Sequence, residues 1–431
     1  MRLLRNVLFA GFASLSLFGI GCSNQAVEEE DGPATDEGAI TSTDGTPLEF
    51  SFDAEVVASR EMLAKNAVVA QLEYLQGVLT TGSKANAQVR FADVKDVQES
   101  NEGAAKKRIR YSGSVAVIFP AGERVPTKYD VAFPLDVTEL AAFNAKYDGK
   151  CGKNEYGQEV FWHDFNPRAE GCTLGSDAVK VKASVRPHPA GTTDKYPEYD
   201  QIWKDGRLDI VAVYGAISNS TDDDSGARER EKFITKVTGA ITGAQRQDLE
   251  ASGGMLKHSV VTGKMRVGNA DRDVRLVTYF VEEAQYAGAA FEASFAEETA
   301  RADFIHYSGH SGLGKNIAAL AKNAKATKGK YQIAFFNGCQ TLGYLGPWMH
   351  ESRRELNGAA VDPNGTKFLD VIVTSLPAYS ETIPTEHLLF DAFTEQKKGW
   401  QDLLRLIAGQ QWTTHLNAVF GEDDNTFRPA Q

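Results

Sequence analysis

Two patterns of apolar and polar positions divide the chain near residue 190. Before it, runs with strand-like alternation stand out: Tyr111, Val115, Val117 and Phe119 within 109–119, then 129–137, then Val179, Val181, Ala183 and Val185. Alternation of period two predicts strands with one face in a core, and turn-rich segments between them predict a small antiparallel sheet or sandwich. Over 56–79, Val68, Leu72, Leu75 and Leu79 recur at helical spacing and predict one helix ahead of those strands. Pro187-His-Pro189 and Gly191-Thr-Thr193 then punctuate the chain.

After that boundary the apolar runs become short and nearly unbroken. Leu208-Asp-Ile-Val-Ala-Val-Tyr-Gly215 is the first, followed by runs at 273–281, 303–308, 331–336 and 368–374. Such runs suit strands covered on both faces. Helical stretches are expected between them, including 227–250 and 316–326, with a last helix at 400–409 and a strand at 416–420. Strand and helix in alternation predict an α/β domain over 195–431, a mostly parallel sheet flanked by helices, preceded by a β-rich domain over 48–190. No fixed period recurs, so a repeat architecture is not expected.

Two of the apolar runs end in reactive residues. Phe304-Ile-His-Tyr-Ser-Gly-His-Ser-Gly312 carries His310, and Ile333-Ala-Phe-Phe-Asn-Gly-Cys-Gln-Thr341 carries Cys339. The 28 residues between His310 and Cys339 suffice for a loop, a helix and a second strand. That is a crossover placing two parallel strands side by side, with their C-terminal ends on one edge. Ligands of open α/β sheets bind at that edge, and a thiol beside an imidazole there supplies a nucleophile and its base.

These segments resemble the caspase-like cysteine peptidases, the superfamily of caspases, metacaspases, gingipains, separases and CHAT-domain proteases. Tyr307-Ser-Gly-His310 is similar to the metacaspase form of the histidine motif, and Asn337-Gly-Cys-Gln-Thr341 to the CHAT form of the cysteine motif. The resemblance is specific over about 300–345 and extends to 195–431. It implies a caspase-like sheet and an endopeptidase acting on protein or peptide substrates, with Cys339 as nucleophile and His310 as acid and base. It needs no cofactor or metal. The oxyanion would be held by backbone N–H groups of Cys339 and of Ser311 or Gly312. The chain departs from the family where Ser311 precedes Gly312, the family having Gly directly after the histidine. Asn337 stands where metacaspases carry a pocket Asp, so Asn337 is a substrate-pocket candidate without an implied preference for basic residues.

Two alternatives stand beside this reading. Gly309-His-Ser-Gly-Leu313 begins like a serine-hydrolase elbow with Ser311 as nucleophile, but Leu313 occupies the place of its last Gly. A triad in chain order would then need an acid such as Asp370 and His387 or His415. The other alternative is a non-catalytic surface-binding lipoprotein on the same fold. His306 is expected in the core, and Asp222-Asp-Asp-Ser-Gly226 in a solvated loop near the active edge, without the spacing of a calcium loop.

Composition and cysteine use bear on location. Arg2 and Arg5, an apolar stretch at 7–20 and Gly19-Ile-Gly-Cys22 read as a signal peptide over 1–21, with Cys22 resembling a bacterial lipidation site. Residues 22–47 contain seven acidic residues and no Lys or Arg; they are expected to form a disordered tether. A net charge of −12 without a basic stripe argues against nucleic-acid binding. Cys151 and Cys172 are expected to pair as a disulfide in an oxidising compartment, leaving Cys339 as the free thiol. The expected location is the bacterial cell envelope, lipid-anchored, with the outer membrane favoured by Ser23.

Overall fold

A computed structural model describes residues 39–188, 193–378 and 385–429. The expected signal peptide, Cys22 and the tether up to residue 38 lie outside the described residues. The chain runs through β1 (Ile40–Ser42), β2 (Gly45–Ser59), α1 (Ala64–Ser83), β3 (Asn86–Ala87), β4 (Asp93–Glu102), β5 (Lys106–Pro120), β6 (Lys128–Pro134), α2 (Leu140–Tyr147) and β7 (Ala178–Pro187). It continues through α3 (Tyr199–Ile202), β8 (Arg207–Gly215), α4 (Ser225–Ala240), β9 (Thr242–Leu249), β10 (Met255–Val267), β11 (Ala270–Val281) and α5 (Ala289–Thr299). The remaining elements are β12 (Phe304–Ser308), α6 (Lys315–Asn323), β13 (Gln332–Asn337), α7 (Thr341–Tyr344), α8 (Trp348–Asn357), β14 (Leu369–Thr374), α9 (Glu386–Glu395), α10 (Trp400–Gln410) and β15 (Asn417–Phe420).

The protein is α/β. Nine strands form a mixed sheet in the order β1-β15-β14-β13-β12-β8-β11-β10-β9. The five central strands, β11, β8, β12, β13 and β14, are parallel, and β15 and β10 are the first antiparallel neighbours on either side. A smaller antiparallel sheet, β3-β5-β2-β7-β6 with β4 on β5, forms from the first half of the chain. Residues 40–42 and 45–47, assigned from sequence to the end of the tether, are instead in β1 and the start of β2, and Ile40 and Thr41 are buried against β15.

Side chains of alternate sign along the central strands feed two cores. Val211, Val213, Ile305, Tyr307, Ala334, Phe336, Val371 and Val373 join one that also contains α1 and the small sheet. Ile210, Ala212, Phe304, Ile333, Phe335 and Ile372 face the other, closed by α4, α9 and α10. The two sheets therefore share a core. Trp162 and Tyr344 meet edge-on at 6.0 Å across that contact, and Gln76 Nε2 of α1 donates to Gly343 O of α7 at 3.1 Å.

Two expected helices differ from those observed. Residues 56–59 extend β2, because Val57 N–H donates to Leu135 O at 2.7 Å and covers what periodicity alone reads as a helix start. The stretch 227–250 breaks at Ala240, and 242–249 becomes β9. That edge strand is exposed on both faces, so it carries no apolar alternation to announce it. Cys151 and Cys172 are joined by a disulfide. Among the described residues no helix is long and apolar enough to cross a membrane.

Candidate active site

β12 and β13 pair in parallel register, with Ser308 opposite Asn337. Their following turns leave the same edge of the sheet and touch. Gly309 N–H donates to Asn337 O at 3.3 Å, and a Cβ placed on Gly338 would lie 2.9 Å from Gly309 O and 3.7 Å from Ser311 Cβ. Gly338 is thus required by close approach of backbone. The structure brings the turns of His310–Gly312 and Asn337–Cys339 together at this edge, while the His310 ring is directed to Ile217 O after β8 and Cys339 Sγ to Ala378 O after β14.

His310 is exposed, and its backbone is clamped from beneath. Its carbonyl accepts from Tyr307 Oη at 2.5 Å and from Asn316 Nδ2 at 2.8 Å; Asn316 Oδ1 in turn accepts Gln285 N–H at 3.1 Å. The ring Nε2 lies 3.0 Å from Ile217 O. A carbonyl only accepts, so Nε2 bears the proton and Nδ1 is the nitrogen left for proton transfer. Ile217 is fixed by Asp224, the N-cap of α4, whose carboxylate accepts N–H groups of Ile217 (3.1 Å), Ser218 (2.8 Å), Asn219 (3.0 Å) and Gly226 (2.8 Å). Burial alone would raise its pKa, but these backbone donors outweigh it and hold the carboxyl below the usual range.

Cys339 is half-buried, and its Sγ lies 3.3 Å from Ala378 O, a contact that a protonated thiol makes by donating. Burial pushes its pKa up, and backbone hydrogen bonds at Ala378 and at Cys339 itself offset only part of that. The site as it stands holds a thiol, not a thiolate. The turn is fixed by threonines: Thr341 Oγ1 donates to Phe336 O at 2.9 Å and accepts Thr374 N–H at 2.9 Å, and Thr374 Oγ1 donates to Gly338 O. No backbone hydrogen bond among the described residues uses the N–H of Ser311 or Gly312, the expected oxyanion donors. Asn337 is buried, with its Oδ1 unpartnered among the described residues.

The serine triad is not assembled. Asp370 pairs with Ile333 near the start of β14, four residues below the C-terminal edge or roughly 13 Å at the rise of a strand. There it accepts from Tyr331 Oη (2.5 Å), Asn425 Nδ2 (2.6 Å) and Trp400 Nε1 (3.0 Å). His387 stacks on Phe233 under α4. His306 is fully buried, with burial taking its pKa down to about 3, as a core histidine.

Several groups at the site were not legible from sequence. Asp224 falls in the acidic loop Asp222–Gly226, expected near this edge as a substrate contact and found instead to hold the backbone of Ile217, five residues before that loop. Tyr307 belongs to the histidine motif and Asn316 to the first turn of α6, and both act on the backbone of His310. His163, in the disulfide loop, reaches Gln340 next to Cys339 at 2.9 Å; no sequence signal links residues so far apart. Among the described residues no group of three or more His, Cys, Asp or Glu is placed to hold a metal. The chain matches no model of a known protein family, and no curated protein matches it.

Proposed function

We propose that this protein is a cysteine endopeptidase of the caspase-like type, cleaving peptide bonds through Cys339 and His310. The observation that carries the reading is the parallel pairing of β12 with β13, from whose C-terminal ends the two motif turns emerge in contact. Five parallel central strands flanked by helices support the caspase-like arrangement that the motifs imply. The tautomer of His310 supports it as well, because Nε2–H given to Ile217 O leaves Nδ1 as base.

In this reading a substrate entering the edge displaces the thiol from Ala378 O, and the Cys339 proton passes to His310 Nδ1. The thiolate attacks the scissile carbonyl carbon, forming a C–S bond and an oxyanion facing the N–H groups of Ser311, Gly312 and Cys339. Collapse breaks the C–N bond, and His310 returns the proton to the leaving amine. Water, deprotonated by His310, then attacks the thioester and releases the acid and the thiol. Asn337 Oδ1, buried and without a partner among the described residues, is the acceptor available to a donor on the substrate.

The disulfide supports an oxidising location, and with Cys22 it fits an exported, lipid-anchored protein of the cell envelope, in contact with the membrane only through that anchor. The test is cleavage of a peptide library by the purified protein, followed by Cys339→Ala and His310→Ala. Both variants should retain the wild-type circular dichroism and lose cleavage by at least ~10³-fold. Full activity in Cys339→Ala would falsify the proposal. The raised pKa of Cys339 favours one other reading, a non-catalytic binding protein. In that case no peptide is cleaved by wild type, and labelled Cys22 marks an anchored protein that binds peptides unchanged.

A further inference from the structure

The turn that carries Cys339 is held from outside its own sheet. Gln340, the next residue, is buried and has φ +54°, a left-handed conformation that costs a non-glycine residue roughly 1 kcal/mol or more. Its backbone N–H donates to Leu376 O at 3.1 Å, and its side chain makes three hydrogen bonds. Nε2 donates to Thr80 Oγ1 of α1 at 2.9 Å, while Oε1 receives Tyr344 Oη at 3.0 Å and His163 Nε2 at 2.9 Å.

His163 ends a 3₁₀ turn (Gln158–His163) inside the loop closed by Cys151 and Cys172. That loop is anchored by buried Phe161, Trp162 and Phe165, and by Asn166 N–H donating to Cys151 O at 2.7 Å. The other ring nitrogen, Nδ1, lies 2.9 Å from Asp164 Oδ1. Both partners of the ring are therefore acceptors: a carboxylate and an amide oxygen, the amide being oriented by Thr80, whose one hydroxyl proton goes to Ala85 O at 3.4 Å so that its oxygen accepts from Gln340 Nε2. Two acceptors require two donors, and only the imidazolium has them. The titratable groups facing it are Asp164 and Glu155 on its own loop and Tyr344 on α7, with the Tyr156 ring edge-on at 5.5 Å; α1 contributes the neutral Thr80. Lys150, Lys153 and Glu170 share the walls of the cavity beside Asp164.

We propose that His163, as an imidazolium, is a positioning residue for Cys339: by holding the Gln340 side chain it keeps the nucleophile's turn in its left-handed form, so that the disulfide loop of the first half belongs to the catalytic apparatus of the second. The proposal rests on the reading of Cys339 as the nucleophile. Burial opposes the charge on His163, yet the bonds to Asp164 and Gln340 raise its pKa above the ordinary value. When pH rises through that raised value the ring keeps a single donor, Nε2 faces the oxygen of Gln340 without a proton, and the turn loosens.

The test follows alkylation of Cys339 by iodoacetamide in the full chain from pH 6 to 9, quantified by mass spectrometry on the peptide containing Cys339, beside peptide turnover. In His163→Ala the loosened turn exposes the half-buried thiol: alkylation at pH 7 rises about 10-fold, while kcat falls ~10- to 100-fold with KM within about 3-fold. His163→Gln, which can donate to Gln340 without a charge, restores part of both. The ratio of wild-type to His163→Gln alkylation rises as pH passes the titration of His163, since only the wild type loses a donor there. A ratio flat across that range, in two variants of native circular dichroism, overturns the proposal; if His163→Ala does not fold, the His163→Gln ratio alone decides. Absence of cleavage by wild type together with a His163-dependent alkylation step would sink the peptidase reading and leave the positioning role standing. Cleavage unchanged in His163→Ala would do the reverse.

Discussion

Asp224 is the single side chain on which the orientation of His310 depends most. Its carboxylate caps α4 and gathers three further N–H groups of the loop that presents Ile217 O to the histidine ring. Replacing Asp224 by Ala removes the cap, worth about 1 kcal/mol. It also removes the acceptor for Ile217, Ser218 and Asn219. Ser218 and Asn219 are exposed, so water can take their N–H groups and each loss is held to ~0.5–1 kcal/mol. The total is roughly 2–4 kcal/mol, or a urea midpoint lowered by about 1 M for a slope near 3 kcal/mol/M. Asp224→Asn keeps a good cap but turns an N–H₂ toward donors, and should lose about half as much. With Ile217 O no longer fixed, the His310 ring reorients and kcat should fall ~10- to 100-fold with little change in KM. The pH dependence has a definite sign. The folded pKa of Asp224 is lowered, so its contribution is complete above the ordinary value of 3.8 and disappears as pH falls through the folded one. Stability curves of wild type and Asp224→Asn should therefore converge as pH falls below 3.8. Equal midpoints at pH 7, or a loss of activity confined to KM, would refute the reasoning.

Other outcomes are expected elsewhere in the molecule. Reduction of Cys151–Cys172, which closes a loop of sequence separation 21, should lower stability by about 3 kcal/mol, measured as the midpoint difference between urea titrations with and without reductant. Asp370, pushed up to about 8 by burial, must hold a proton in the folded state that it releases when unfolded; stability should therefore fall between about pH 4 and 8. Asp370→Asn should flatten that slope, and an unchanged slope in thermal melts across the range would count against it. Gly338→Ala should push the Cys339 turn off Gly309 O, costing ~1–3 kcal/mol and most of the turnover, while a wild-type rate would show that the two turns do not touch.

What could be read from the sequence follows from how strongly each segment is buried. β8, β12, β13 and β14 are covered on both faces, and their unbroken apolar runs cannot satisfy any other environment, so their places were legible within a residue or two. β9 has neither face covered and nothing to distinguish it from the end of a polar helix. The motif turns were legible for a related reason. A glycine is required where an added Cβ would come within 2.9 Å of the facing turn, and reactive residues beside such glycines stand out against an apolar background.

The supports of the site were harder to read because most act through atoms that every residue has. Ile217 serves by its carbonyl and Asp224 by accepting backbone N–H groups, so neither position carries a signal of catalysis in its residue type. His163 is the sharper case. Its side chain is chemically distinctive, but its partner lies 177 residues away in the turn between β13 and α7, joined to it only when α1, the disulfide loop and α7 pack together. Local pattern can announce a candidate thiol such as Cys339, because it sits just past a strand end that sequence defines. It cannot announce the residue that fixes that thiol's turn when that residue arrives through tertiary packing. The rule that both ring partners are acceptors recovers it at once from structure, and it does so independently of whether the site hydrolyses peptides or only holds them.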